Sequence, residues 1–235
     1  MIVDLIAYTT LVPEAIAAMG YKFHSGYGDE AVTEGDELTE IAGRECYQSW
    51  GRPNPGTAHN TGYIGNILHK QHYSVLEHVS LTFSIRNVSR ALTHELVRHR
   101  HLSPSMLSQR FVDESHSDMV LPPEILRSEF DDLSLLILDA HEEALSLYEK
   151  ISTRLIDAGV PRKRARQAAR YVLPNGHETR LMMTGNVRAW REFVSKRIAK
   201  DPLTGEPLAD LEIYELASRI LAWLREKVPN SVQDL

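Results

Sequence analysis

Residues Arg98-His99-Arg100-His101-Leu102-Ser103-Pro104-Ser105-Met106-Leu107-Ser108-Gln109-Arg110 crowd guanidiniums, imidazoles and hydroxyls into one short segment around a proline. Upstream, Val88, Ala91, Leu92 and Leu96 recur at helical spacing behind Ser89, a residue type that caps helix N-termini. The spacing puts Arg98 to His101 near the C-terminus of that helix, and Pro104 cannot continue it. Cations at a helix C-terminus suit the macrodipole and the last free carbonyls, each contributing about 0.3–1 kcal/mol. Taken alone, the basic cluster needs no further reason. Arg110, however, lies beyond the proline, where no dipole argument requires it, and Ser105 and Ser108 add hydroxyls to the same loop. A phosphate pocket would use them all.

Toward the N-terminus, Met1 to Thr10 reads as a buried strand, and residues 12–35 as a helix followed by a mobile loop. Leu38, Ile41, Ala42 and Cys46 mark an amphipathic helix ended by Gly51, Pro53 and Pro55, with Tyr47 at its end. A short helix is expected over Thr61 to Lys70. Residues His72 to His78 then lead into Leu81-Thr82-Phe83-Ser84-Ile85-Arg86, whose alternation is that of a half-exposed strand. After the basic segment and a connection at Met119 to Pro123, a long helix is traced by Leu133, Ile137, Ala140, Ala144, Leu147, Ile151 and Leu155, stopping near Gly159.

The C-terminal third holds a second basic stretch. Pro161 opens a helix on which Arg162, Arg166 and Arg170 stand at i, i+4 and i+8. Like charges in a row repel, so an anionic partner or nearby acids are expected rather than open water. A turn at Pro174-Asn175-Gly176 and a strand over Thr179 to Thr184 come next, and Asn186 caps the following helix. There Val187, Trp190 and Val194 form the apolar stripe, and Arg197 falls about 20° from it at 100° per residue. An arginine on a buried stripe needs a partner, either a structural carboxylate or a ligand. The ligand is favoured because this arginine joins two other basic clusters. Leu208 to Lys227 is a final amphipathic helix.

Composition narrows the function. With 43% hydrophobic and 25% charged residues among 235, the chain reads as one globular domain over 1–235. A net charge of −6 and 7% aromatic residues argue against a nucleic-acid binder, which would expose a basic face and stacking rings. Cys46, the single cysteine, allows neither an internal disulfide nor a cysteine-only zinc site, and its phase with Leu38 and Ala42 makes it a small core residue. His94 and His99 are five apart, about 140° around a helix, so they do not form a zincin pair, and no metal is expected. There is no Walker loop and no G-x-G-x-x-G after a strand, so phosphates must be held by the basic groups. Met1 to Leu11 lacks the basic start of a signal peptide and no run reaches membrane length, which reads as a cytoplasmic chain without a membrane partner.

Arg98-His99-Arg100 followed by seven residues and Ser108, with Arg110 two places on, resembles the signature of the flavin-dependent thymidylate synthases. The resemblance extends to Ala42-Gly43-Arg44 through Cys46-Tyr47-Gln48-Ser49-Trp50, to His72-Tyr73-Ser74 through Glu77-His78, and to Arg166-Gln167-Ala168-Ala169-Arg170 through Arg197. It implies an α+β fold, a twisted, mostly antiparallel sheet with flanking helices, assembled as a homotetramer with active sites at subunit interfaces. It also implies synthesis of dTMP from dUMP, with 5,10-methylenetetrahydrofolate as one-carbon donor and FAD reduced by NADPH as hydride source. By resemblance, dUMP contacts fall on Glu95, Arg98, Met106, Leu107, Ser108, Gln109, Arg110, Arg170 and Arg197. Flavin contacts fall on Ser74, Arg98, His99, Arg100, Met106, Asn186, Val187, Arg188 and Glu192, with Tyr47 and His72 as further pocket residues.

The chemistry such a site needs can be argued from the substrate. Methylating C5 of uracil requires that carbon to become nucleophilic, and with Cys46 read as inert, loss of the N3 proton is the alternative activation. An arginine about 4 Å from the developing anion, at an effective dielectric near 20, contributes up to about 4 kcal/mol, or about three pKa units. The resemblance gives this role to Arg197, the arginine that the stripe singles out. Departures from the family pattern are Met106 in place of glutamine or glutamate, Glu192 in place of histidine, and Phe111 in place of tyrosine. A flavin-free nucleotide-binding module is the second reading and an RNA-binding protein the third.

Overall fold

The two longest sheet strands run straight into helices, and those junctions organise the rest. The computed structural model describes residues 1–23, 32–52 and 54–235. In chain order it has β1 (Ile2–Tyr8), α1 (Pro13–Ala18), α2 (Glu34–Tyr47), α3 (Asn60–His69), β2 (Ser80–Ser89), α4 (Arg90–Leu96) and β3 (Ser103–Met106). Then follow α5 (Asp131–Asp157), α6 (Arg162–Ala169), β4 (Glu178–Asn186), α7 (Val187–Arg197) and α8 (Leu211–Lys227). The strands form one antiparallel sheet in the order β1-β2-β4-β3, flanked by helices, as the α+β expectation requires.

Alternation on the central strands builds the core. Leu81, Phe83 and Ile85 of β2 and Leu181 and Met183 of β4 are buried, and they pack with Trp190, Phe193 and Val194 of α7 and Leu216, Ile220 and Leu224 of α8. Phe83 meets Trp190 edge to face at 5.1 Å, and the Trp190 indole donates to the Leu81 carbonyl at 3.2 Å, so a large apolar ring is buried without an orphaned N–H. Gly185 is required beside them, because a Cβ there would come within 2.4 Å of Leu102 Cδ2.

Polar caps set where strand becomes helix. The Ser89 hydroxyl accepts the Leu92 N–H at 3.0 Å, and the Asn186 side chain accepts the Ala189 N–H at 2.9 Å. Glu212, in the first turn of α8, clamps Ser89 by accepting its N–H at 2.8 Å and its hydroxyl at 2.5 Å.

Several expectations are corrected. β1 is not a buried strand. It pairs only with β2 at the sheet edge, and Ile2, Ile6 and Tyr8 are exposed. α4 ends at Leu96, ahead of the basic segment, and Pro104 lies in edge strand β3 opposite Met183, where an edge tolerates its missing donor. On α5 the buried positions are His141, Ala144, Tyr148 and Ser152, while Leu133 and Leu147 of the expected stripe are exposed.

Cys46 is exposed, which overturns its reading as core. The buried face of α2 carries Asp36, Glu37, Glu40, Ile41 and Arg44 instead, and the last turn, Glu45 to Tyr47, projects beyond the packed part of the helix into solvent. The buried Arg44 donates to Glu40, to the Ser49 carbonyl at 3.0 Å and to the Thr57 carbonyl at 2.7 Å. The helix expected within residues 12–35 is α1, whereas the part of the expected loop at 24–31 lies outside the described residues.

Candidate functional site

α4 and α7 meet at their C-termini, and Arg197 is the joint. Its NH1 donates to Glu95 Oε2 at 2.6 Å and its Nε to His99 Nε2 at 3.1 Å, contacts spanning 102 and 98 residues of sequence. The arginine on the stripe thus has its carboxylate, and that carboxylate is itself an expected substrate residue. Since His99 Nε2 accepts, its ring N–H is on Nδ1 and the ring is neutral. Burial and the Arg197 charge hold its pKa below the ordinary histidine value, and the ring packs edge-on against Phe193 at 4.9 Å. The Glu95 carboxyl is pushed up, first by burial and then by a hydrogen bond with Asp210, against the pull of Arg197.

Arg197 and His99 line a cleft of about 340 Å³ with Arg98, Arg100, His101, Glu192 and Lys196. Arg98 and Arg100 are exposed, and their guanidiniums have no hydrogen-bond or ion-pair partner among the described residues. The acid at position 192 is offset locally: Lys196 donates to it at 2.6 Å, and that bond lowers its pKa. The cleft therefore carries an excess of cations facing solvent, which suits an anion.

A second cleft, of about 390 Å³, gathers Met106 to Arg110 and Arg170 with two residues the sequence reading did not single out, Arg90 and Gln167. Arg90 opens α4. A cation at a helix N-terminus works against the macrodipole, and that was the available signal. Its pKa is lowered by burial and by Arg170 beside it, and its NH1 approaches the Met106 sulfur at 3.2 Å. Two guanidiniums lining one cleft, with Arg90 disfavoured by burial and by Arg170, are an arrangement that an anion relieves. The backbone holding Arg90 is firm, since the His177 carbonyl accepts its N–H at 3.0 Å and the Asn175 carbonyl that of Ala91 at 2.9 Å. Behind the loop, buried His177 bonds Glu114 at 2.7 Å and His141 at 3.2 Å.

The arginine row on α6 divides. Arg166 donates to the Phe111 carbonyl and to Asp113, both at 2.6 Å, tying down the chain just after Arg110. Nearby acids therefore account for Arg166. Arg170 turns into the cleft, and Arg162 is exposed. Phe111 is exposed and lies under the Lys163 ammonium at 4.6 Å.

A third cleft, also about 390 Å³, is lined by Tyr47, His72, Ser74 and Arg188, with Cys46 at its wall. Arg188 pairs with Glu77 at 2.5 Å. Val187 is fully buried and the Asn186 oxygen is used as a cap, so neither side chain reaches this space. The expected site residues thus come together in three groups within one protomer, with Glu95, Arg98 and Arg197 apart from Ser108, Arg110 and Arg170.

This is an α+β protein whose conspicuous feature is a set of cationic clefts, an arrangement that suits phosphorylated ligands. The thymidylate synthase complementing protein family model matches residues 30–230. A flavin-dependent thymidylate synthase of Mycobacteroides abscessus is 47% identical over 85% of this chain and 79% of its own length. A probable flavin-dependent thymidylate synthase of Mycobacterium phage D29 is 44% identical over 100% of this chain and 96% of its own length, and the Mycobacterium tuberculosis enzyme is 45% identical over 83% and 77%. The chain belongs to the thymidylate synthase complementing protein family, whose relatives named here are flavin-dependent thymidylate synthases.

Proposed function

We propose that the protein makes dTMP from dUMP, taking the one-carbon unit from 5,10-methylenetetrahydrofolate and using FAD reduced by NADPH. The observation that carries this reading is the Arg197 guanidinium, anchored by Glu95 and His99 at the edge of a cleft of unpaired cations. The cleft suits the flavin: the unpaired forks of Arg98 and Arg100, with His99 between them, can bind its diphosphate bidentately. Ser74 and Arg188, together with the α7 N-terminus at Asn186 and Val187, would extend that contact, with Glu192 close by. Tyr47 and His72 line the third cleft beside Ser74 and suit an aromatic ring system. Bound FAD, once reduced, supplies the hydride that completes the methyl group.

Within the pyrimidine site, Arg197 binds the N3/O4 edge and favours the ionised ring, raising electron density at C5. Ser108, Gln109, Arg110 and Arg170, with the backbone of Met106 and Leu107, hold the 5′-phosphate together with Arg90. Because Arg98 and Arg197 occupy one cleft and Arg110 and Arg170 another, a complete dUMP site takes one cleft from each of two subunits, consistent with a homotetramer. The exposed leucines of α5 offer a face for that assembly. The proposed reactants are soluble small molecules, and the cytoplasm is the proposed location.

The test is an absorbance spectrum of the purified protein, then anaerobic titration of the NADPH-reduced form with dUMP and methylenetetrahydrofolate while dTMP is assayed. A flavin spectrum, dUMP-dependent dTMP and its loss in Arg197→Ala support the reading. A colourless protein that takes up no FAD yet binds dUMP sinks it, leaving a nucleotide-binding module.

A further inference from the structure

Glu95 differs from every other titratable group around Arg197. His99 is held neutral by burial and by Arg197, and its Nε2 is already occupied as an acceptor. Glu192 is tied to Lys196, which favours its ionised form. Glu95 alone is surrounded so as to favour taking up a proton: besides Arg197, its neighbour is a second carboxyl, Asp210. Glu95 shares a cavity wall with Asp210 while Arg197 holds it at 2.6 Å, and a carboxylate beside a second carboxylate takes up a proton more readily than it would alone.

Asp210 occupies its place at a cost. It is the N-cap residue of α8, where an aspartate ordinarily turns its oxygen onto a first-turn N–H, yet its side chain makes no cap bond. Glu95 and Asp210 stand together at the wall of an otherwise largely apolar cavity of about 540 Å³, whose other titratable lining groups are Glu124, His141 and Glu212. Glu212 is committed to Ser89. Asp210 is exposed, which gives a proton on the pair a way out to water.

If Arg197 favours the ionised pyrimidine, the proton leaving N3 needs an acceptor beside that guanidinium. We propose that the Glu95–Asp210 carboxyl pair accepts the pyrimidine N3 proton, Glu95 in contact with the ring and Asp210 positioning Glu95 from the head of α8. This rests on the synthase reading above. The N3–H bond breaks and a Glu95 O–H bond forms, while the electron pair stays on the ring across N3 and O4, facing Arg197. Charge is conserved within the site, because a neutral ring becomes an anion as a carboxylate becomes an acid. After methylation the proton returns to N3 of the product. Asp210 acts through Glu95, so it is a positioning residue, and Glu95 is the catalytic one.

The test uses FAD-loaded enzyme and dUMP labelled with 15N at N3, without folate, so that no turnover is needed. The N3 resonance reports ionisation of the bound ring, and calorimetric titration in buffers of different ionisation enthalpy counts protons released. The wild type is expected to bind an ionised ring near neutral pH with almost no proton released to buffer. Glu95→Gln should either keep N3 protonated or release about one proton per dUMP, since the internal acceptor is gone. Asp210→Asn, which keeps a good N-cap residue, should lower the ionisation constant of the bound ring about tenfold, a shift of one pKa unit read from the N3 resonance across a pH series. Asp210→Glu should restore most of it, and Asp210→Asn should add nothing in a Glu95→Gln background. Release of a full proton by the wild type, a bound ring still protonated at N3, or an Asp210→Asn complex identical to wild type overturns the proposal. A wild type that makes no dTMP sinks the synthase reading separately, because the binding readouts do not depend on it.

Discussion

Arg197 donates its Nε hydrogen to the neutral Nε2 of His99 at 3.1 Å, so the histidine and Glu95, which accepts from NH1 at 2.6 Å, together fix the plane of the guanidinium. Protonating His99 removes that acceptor and sets a cation against the guanidinium. Its folded pKa is depressed by burial and by Arg197. The alignment is therefore fully present above the ordinary histidine value, about 6.5, and is lost as pH falls toward the lower folded value. dUMP affinity is expected to hold from about pH 8 to 7 and then decline in acid, in step with that titration. His99→Phe keeps an edge-on ring against Phe193 but lacks the acceptor. It should bind dUMP about tenfold more weakly, as expected for a partly exposed bond to a charged group, and with a flatter acid limb. Titrations of both proteins across that range check it, and an unchanged limb in His99→Phe would remove His99 from Arg197's control.

The acid network under α2 makes the opposite pH prediction. Asp36 is fully buried, accepts the Asn230 and Ser231 N–H groups at 2.8 and 3.0 Å and the Ser231 hydroxyl at 2.6 Å, yet burial dominates and pushes its pKa to about 6 from 3.8. A folded value above the unfolded one means that the folded state binds the proton more tightly. The resulting stability is complete below about pH 3.8 and is lost as pH rises through about 6. A shift of that size corresponds to about 3 kcal/mol across the window. Asp36→Asn, which cannot titrate, should flatten this part of the stability–pH curve in denaturant unfolding between about pH 4 and 7. A curve of unchanged slope would mean that other groups set it.

Burial and the Arg170 charge lower the pKa of Arg90, an unfavourable setting that a bound phosphate would relieve. Arg90→Ala should therefore raise KM for dUMP roughly 10- to 100-fold with little change in kcat, the pattern for a contact made equally in ground and transition states. Its melting temperature should stay level or rise slightly, because a repulsion and a partly buried charge are removed together. Steady-state kinetics with thermal unfolding on the same samples separate this from simple misfolding. A fall in kcat with KM unchanged would place Arg90 outside the phosphate contact.

How far these features could be read from sequence depends on which force set them. β2 and α7 were legible because apolar alternation and the Val187, Trp190, Val194 stripe record burial directly, and the stripe located Arg197 as well. β3 was not, because Pro104 reads as a breaker and its place opposite Met183 exists only once β4 is beside it. On α2 the buried groups are mostly charged. Asp36, Glu40 and Arg44 give no apolar signal of burial, and their partners, Ser231, Asn60 and the Thr57 carbonyl, lie elsewhere in the chain. Asp210 sits where an aspartate normally caps a helix, and only the folded chain shows that its side chain makes no cap bond and shares a cavity wall with Glu95. The division of the basic residues among three clefts was invisible for the same reason, since spacing along a chain says nothing of which loops face each other.

α5 provides a test of assembly. Leu135 and Leu136 are 61% and 63% exposed, with Leu133 and Leu138 also exposed, a concentration of apolar surface that a monomer would not ordinarily leave in water. If these leucines pack against another subunit, Leu135→Glu with Leu136→Glu buries two unpaired carboxylates at that interface and should split the proposed tetramer into smaller species. Each protomer keeps its own core, because neither side chain belongs to it, so circular dichroism should be unchanged. Activity should fall with the oligomer, since the cleft of Arg197 and that of Arg110 would no longer come from facing subunits. Light scattering coupled to size separation, with dTMP formation measured on the same fractions, decides it. A split assembly that retained full turnover would show that each protomer builds its dUMP site alone.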